Sequence, residues 1–448
     1  MQHFEDLLKR ALPTDLRGSV VEITGATAAV ADFPAPVGAV VEVERASGGT
    51  IAGEVIGFHD RRTVVFPYQY MAGVRRGSRV RLVRTIRQLR VGEGLLGRVI
   101  DAHGRCVDGR PQPMLSGRAR LDRQPPAATE RPRIDSPFAT GVRSIDGLLR
   151  CGRGQRLGIF SGAGVGKSVL LGMMSRYTEA DVNVIALVGE RGRELNEFIE
   201  RDLGPAGLAK SVIVVATSNE PALRRVQAAY TATTVAEHFR DQGKNVLLMV
   251  DSVTRFATAL REIGLATGEP PATRGYPPSV FSTLPQLVER AGCSQQGSIT
   301  AFYSVLVEGD DPNEPVADTM RGLLDGHLWL SRQLASAGHY PAIDVLESLS
   351  RLMPDITPPE ELAAAQTVRS LLAAYREHED LISVGAYRKG TNRTIDAAID
   401  LKESIARMLQ QSTSERCTQA ETTQRLLALA ADCQARIELP TPAVQTAA

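Results

Sequence analysis

Cysteine is scarce in this 448-residue chain: Cys106, Cys151, Cys293, Cys417 and Cys433 are five in number and never form a C-x-x-C pair. That excludes a disulfide framework and the usual zinc spacings, and it fits a reducing cytosol. Long apolar runs are also missing, since no stretch approaches the ~20 residues of a membrane-spanning helix. The first residues carry acidic side chains and lack an apolar core, so no signal peptide is expected. Charge of one sign is missing too. Lys and Arg total 52 against 51 Asp and Glu, leaving +1, so no global field favours nucleic acid or an acidic membrane. Aromatics are only 5 % of residues. The few between Gly18 and Val83 do not make a base-stacking surface. What remains is a globular balance of 43 % hydrophobic and 23 % charged residues, in a chain too long for one core.

Against that background one segment stands out: Ser161-Gly162-Ala163-Gly164-Val165-Gly166-Lys167-Ser168, entered from Ile159-Phe160 and left through the helical run beginning at Val169. Glycines allow backbone N–H groups to turn inward around an anion, and the helix start adds its positive end. Lys167 suits the β- and γ-phosphates, and the Ser168 hydroxyl suits Mg²⁺. Ser161 stands where the strict G-x-x-x-x-G-K-[ST] pattern has glycine. Two apolar strands end in carboxylates at workable distances: Val182 to Val188, leading to Glu190, and Asn245 to Val250, leading to Asp251. In an open parallel sheet the carboxyl ends of neighbouring strands face one crevice. Lys167, Glu190 and Asp251 are therefore expected together as phosphate cation, water-activating base and metal-side carboxylate of a phosphoryl-transfer site. Read singly, each carboxylate is equally an ordinary solvated acid at a strand end.

The rest of the chain divides around this motif. Phe4, Leu7, Leu8, Ala11 and Leu12 line one face of a short helix over 1–17, read either as packing on its own domain or as docking another protein. Short β-rich runs with turn punctuation predict a small barrel over 18–90. Residues 84 to 135 read as a Gly/Pro/Arg-rich connection carrying a small strand at Gly97 to Asp101. Alternating strands and helices predict an α/β domain with a parallel sheet, within 91–357. Amphipathic runs at Glu360–Tyr375, Ile395–Gln411 and Thr418–Ile437 predict a helical domain over 358–438, followed by a tail at 439–448.

Several longer segments carry a family likeness: Gly189–Gly204 (GERGRELNEFIERDLG), Val250–Arg255 (VDSVTR), Glu269–Phe281 (EPPATRGYPPSVF), Val307–Asp311 (VEGDD) and His339–Arg351 (HYPAIDVLESLSR). The chain resembles the catalytic subunits of rotary F- and V-type ATPases. It resembles more closely the ATPases of bacterial type III protein export, in particular the flagellar branch, with the injectisome branch a near relative. The resemblance implies a RecA-like ATPase core and a ring, most simply a homo-hexamer. It matches Lys167 and Ser168 to the loop lysine and Mg²⁺ hydroxyl, Asp251 to the Walker B aspartate and Glu190 to the glutamate that polarises water. It matches Arg191 and Arg255 to arginines facing the terminal phosphate, Tyr340 to an aromatic beside the adenine, and Arg351 to an arginine finger reaching the neighbouring subunit. Read from residues alone, Arg191 and Arg255 are equally salt-bridge partners at the sheet edge, Tyr340 is equally packing, and Arg351 is a surface arginine.

The implied partners are a stator-like regulator at the N-terminal helix, a coiled-coil stalk in the central pore, export substrates with their chaperones, and an export gate at the membrane. The implied location is cytoplasmic, peripheral to the export apparatus at the inner membrane. Rotary synthase subunits have an acidic turn where this chain has Gly385 to Arg393 (GAYRKGTNR). That reversal points to a different central partner or to a solvated basic loop. Three further alternatives stand at this stage: a rotary synthase subunit, an RNA-translocating hexameric ATPase, and a nucleotide-binding subunit without turnover.

Overall fold

The computed structural model describes residues 16–438, except 308, 310 and 312. The pattern of Phe4 to Leu12 and the tail 439–448 lie outside the described residues.

Six antiparallel strands open the chain: Arg17–Thr24, Thr27–Ala31, Val40–Glu44, Thr50–His59, Arg62–Pro67 and Arg79–Arg84. They close into a barrel in the order first, second, fifth, fourth, third, sixth. The sixth shows why: Arg79, Arg81 and Arg84 face out, while Val80 and Leu82 face in. Inside they meet Val20, Val30, Val41, Ile51 and Val65. Period-two alternation buries one face, and closure leaves no open edge. The first strand begins at Arg17, within the stretch whose pattern suggests a helix.

The central sheet runs in the order Ile343–Ser350, Gly326–Leu330, Arg156–Ser161, Ser298–Leu306, Asn245–Asp251, Val182–Glu190, Ser211–Thr217, Arg98–Asp101. These strands are parallel except Ile343–Ser350, which runs antiparallel at one edge. Val182 to Val188 and Val246 to Val250 are buried on both faces, as a covered parallel sheet requires. The small strand at Arg98–Asp101 is no mere connector; it forms the opposite edge beside Ser211–Thr217.

Helix Ala222–Arg240 covers one face with Ala228, Ala229, Ala232 and Val235. Beside it Arg290 donates to Glu237 at 2.7 and 2.9 Å, with both side chains almost fully buried. Arg290→Met would strand that carboxylate, and we expect a loss of about 3–5 kcal/mol in chemical unfolding of this domain.

The other face is covered by helix Lys167–Tyr177. Its Leu170, Leu171, Met173 and Met174 share one apolar core with Leu401, Ile405 and Leu426 of the C-terminal helices. Those helices span Pro359–Ser383, Arg393–Leu409 and Gln419–Glu438. Asn392 starts the second, accepting from the Thr394 and Ile395 amides at 2.9 and 3.4 Å. In the basic turn before it, Lys389 pairs with Asp400 at 2.8 Å and the Tyr387 hydroxyl bonds Asp396 at 2.9 Å.

Candidate active site

Strand Arg156–Ser161 delivers the chain into the phosphate-binding loop. Gly164 and Gly166 hold φ of 77° and 90°, where a side chain would be strained, and helix geometry starts at Lys167. The first turn's N–H groups have no partner within the helix and so are available to an anion. Ser161 is buried, and its hydroxyl has no hydrogen-bond partner.

The strand ends meet as expected from sequence. Lys167 Nζ lies 2.5 Å from Asp251 Oδ1, at the end of Asn245–Asp251. The peptide between Asp251 and Ser252 is cis. Asp251 stands opposite Leu187, so Glu190 projects three residues further along its strand. Burial first, and the Asp251 carboxylate second, push the Glu190 carboxyl up to about 7, against the opposing pull of Lys167 and Arg255. A carboxyl poised near neutrality is what a general base at physiological pH requires. Gly189 has φ of 72° and breaks the register just before Glu190. A Cβ there would stand 2.9 Å from Arg255 Cβ, so Arg255 lies across the strand end. Gly189→Ala is therefore expected to cost about 1–2 kcal/mol of local strain and to lower kcat by displacing Glu190 and Arg255 together. A kcat within twofold of the parent would count against it.

Tyr340 caps the loop from the other side. Its ring carbons would come within 3.3 Å of a Cβ on Gly166. Below it is a cavity of about 360 Å³, walled by Gly166, Val169, Met173, Tyr340, Gln411 and Thr413. Gln411 and Thr413 come from the connection between the second and third C-terminal helices, and sequence reasoning missed them. Gln411 had been read only as the end of an amphipathic run. Its amide donates to the Tyr340 carbonyl at 2.9 Å, and its side chain bonds Gly141 and Arg143 at 2.9 Å each.

Two arginines lie elsewhere. The Arg191 side chain is 82 % exposed and stands 3.5 Å from Glu194, the salt-bridge arrangement of the plain residue reading. Arg351 follows the antiparallel edge strand, and its amide donates to Asp325, whose own amide donates to Arg156. Arg351 thus sits at the amino end of the strand whose carboxyl end opens the loop. Six residues of strand separate those ends by ~20 Å, beyond the reach of a side chain.

The donors suited to a metal are the Ser168 hydroxyl and the Asp251 carboxylate, both hard oxygens. No group of three or more His, Cys, Asp or Glu that could hold a metal occurs among the described residues. Mg²⁺ would fit these two oxygens, since it keeps waters and substrate phosphates in its shell.

The sheet, the loop and the converging Lys167, Asp251 and Glu190 define an α/β phosphate-loop nucleotide-binding domain. The model of the ATP synthase alpha/beta family nucleotide-binding domain matches residues 141–350, and that of the T3SS EscN ATPase C-terminal domain matches 357–428. The flagellum-specific ATP synthase of Bacillus subtilis is 50 % identical over 89 % of this chain and 90 % of its own length. The type 3 secretion system ATPase of Xanthomonas euvesicatoria is 48 % identical over 93 % of this chain and 94 % of its own. The assembled ATPase EscN of enteropathogenic E. coli superposes with a TM-score of 0.88 at 45 % identity, covering 92 % of this chain and all of that one. EscN has also been solved with its central stalk EscO, and that chain superposes at 0.86 with the same identity and coverage. The chain belongs to the family of type III export ATPases, flagellar and injectisome.

Proposed function

We propose that this ATPase hydrolyses Mg²⁺–ATP at sites shared between neighbouring copies of a homo-hexameric ring, and that it energises export of flagellar proteins. The observation that carries the reading is the split of the site: Lys167, Asp251 and Glu190 converge at one end of the sheet, while Arg351 stands at the other. In this reading Lys167 and the loop amides bind the phosphates, and Glu190 takes the proton of the attacking water. Ser168 and Asp251 hold Mg²⁺, which supplies positive charge to the phosphate oxygens. Tyr340 lies against the adenine, Arg255 steadies the terminal phosphate, and Arg351 of each copy completes the pocket of the next. Arg191, solvent-exposed as described above, joins them only if its side chain swings inward when the phosphates arrive.

Flagellar export is favoured by flagellum-specific relatives at 50 % identity over about nine-tenths of the chain; injectisome export is the second reading, from relatives at 48 % over 93 % and 51 % over 82 % of the chain. The EscO complex supports a coiled-coil stalk in the pore of this ring too, meeting the basic turn at Gly385–Arg393. A stator-like regulator at the N-terminal helix, export substrates with chaperones, a membrane export gate and a peripheral cytoplasmic location complete the proposal. No described helix is long and apolar enough to cross a membrane.

The test is hydrolysis by the purified chain as its concentration is raised. Specific activity should climb as copies associate and fall to background when EDTA removes the metal. Constant specific activity across the association range would refute a shared site. For the pathway, a strain lacking the gene should fail to swim; normal swimming would transfer the reading to the injectisome.

A further inference from the structure

Between the barrel and the nucleotide-binding domain lies a second cavity, of about 330 Å³, that shares no lining residue with the nucleotide site. Arg84 ends the last barrel strand, and Arg87 sits in the link after it. Arg105 belongs to the turn after the edge strand Arg98–Asp101, and Arg224 to helix Ala222–Arg240. Four guanidiniums from four segments of the chain therefore line one concavity.

Two of the four are paired: Arg87 is 3.4 Å from buried Glu54, and Arg224 is held by Glu220 at 2.7 Å and stands 3.5 Å from Asp101. Glu42, the one carboxylate on the wall, is taken by Arg81 at 2.8 Å. Arg84 and Arg105 have no carboxylate within ion-pair distance among the described residues. Burial above all, opposed by Asp101 and reinforced by Arg224, Arg105 and Arg84, brings the His103 imidazole down to about 4, neutral at pH 7.

Guanidinium forks match phosphate oxygens, and a concave cluster of them concentrates the field. The volume lies at the lower end of the range for small-ligand pockets.

We propose that this cavity binds a small phosphate monoester. Arg84 and Arg105 hold the phosphate, and the remaining volume takes the rest of the ester. Because the walls come from both domains, the bound ester clamps the barrel onto the nucleotide-binding domain.

The test uses the full chain carrying Lys167→Ala, so that the phosphate-binding loop does not compete, and titrates ribose 5-phosphate by calorimetry. Saturable one-to-one binding with Kd of about 1 mM or tighter is expected, accompanied by a higher melting temperature. Adding Arg84→Ala and Arg105→Ala should weaken it by about tenfold or more and abolish the melting shift. The corresponding double Lys substitution, which keeps charge and fold but loses the forks, should fall between. Absence of saturable binding, or equal binding after the alanine changes, overturns the proposal. Inorganic phosphate binding as tightly as ribose 5-phosphate overturns the ester as the ligand class.

Discussion

An Arg351→Ala variant is expected to lose about 10³-fold or more of its ATP turnover with its nucleotide affinity nearly intact. The argument is geometric before it is chemical. Arg351 is exposed at the amino end of the sheet, tied through Asp325 to Arg156, and its own phosphate-binding loop opens at the far end of that strand. It contributes nothing to binding at its own site. When negative charge grows on the γ-phosphoryl oxygens, a cation delivered by the adjoining copy stabilises the transition state selectively, so the loss falls on kcat. Turnover assays and a fluorescent-nucleotide titration separate the two quantities. A sharper check is complementation. Mixing Arg351→Ala chains with Glu190→Gln chains should restore hydrolysis, because some interfaces pair an intact Glu190 with an intact Arg351. If both arginine and glutamate acted within one chain, the mixture would be as inactive as its parts.

Glu190→Gln should reduce kcat by about 10² to 10⁴, the usual worth of a positioned general base. The accompanying pH profile is specific to the environment of this carboxyl. Burial and Asp251 hold it up to about 7, so it still carries its proton where an ordinary glutamate is ionised. The base form therefore appears only as pH rises through neutrality. The parent's kcat should fall as pH drops below about 7, approaching one decade per unit. The glutamine variant's residual rate should lack that limb. A parent profile flat down to pH 5 would remove Glu190 from the role of base.

Both predictions show what could be read from the chain and what could not. The loop was legible because its chemistry constrains residue type: only glycine sits comfortably at the φ of positions 164 and 166. Asp251 and Glu190 were legible because a long apolar run ending in an acid is unusual, and parallel strands bring such ends together. Arg98–Asp101 was harder. Only Val99 and Ile100 are apolar there, too little for a period to declare an edge strand. Arg191 is placed only by adjacency: the strand stops at Glu190, and the next residue turns its side chain to solvent. Gln411 and Thr413 reach the nucleotide cavity from the far end of the chain, through a core shared by helix Lys167–Tyr177 and the C-terminal helices, and no local pattern announces such a meeting. The orientation of Arg351 depends on the reversal of one edge strand, which is a property of the whole sheet.

That reversed strand, Ile343–Ser350, has Tyr340 just ahead of it and Arg351 just behind. A bulge between Asp344 and Leu349 lets its eight residues span only the five of Gly326–Leu330, ~13 Å. In the reading proposed above, the adenine rests near one tip and the arginine lent to the next protomer leaves from the other, with that bulge as the joint between them. Occupancy at one copy would then bear on the neighbour it serves by way of those few residues.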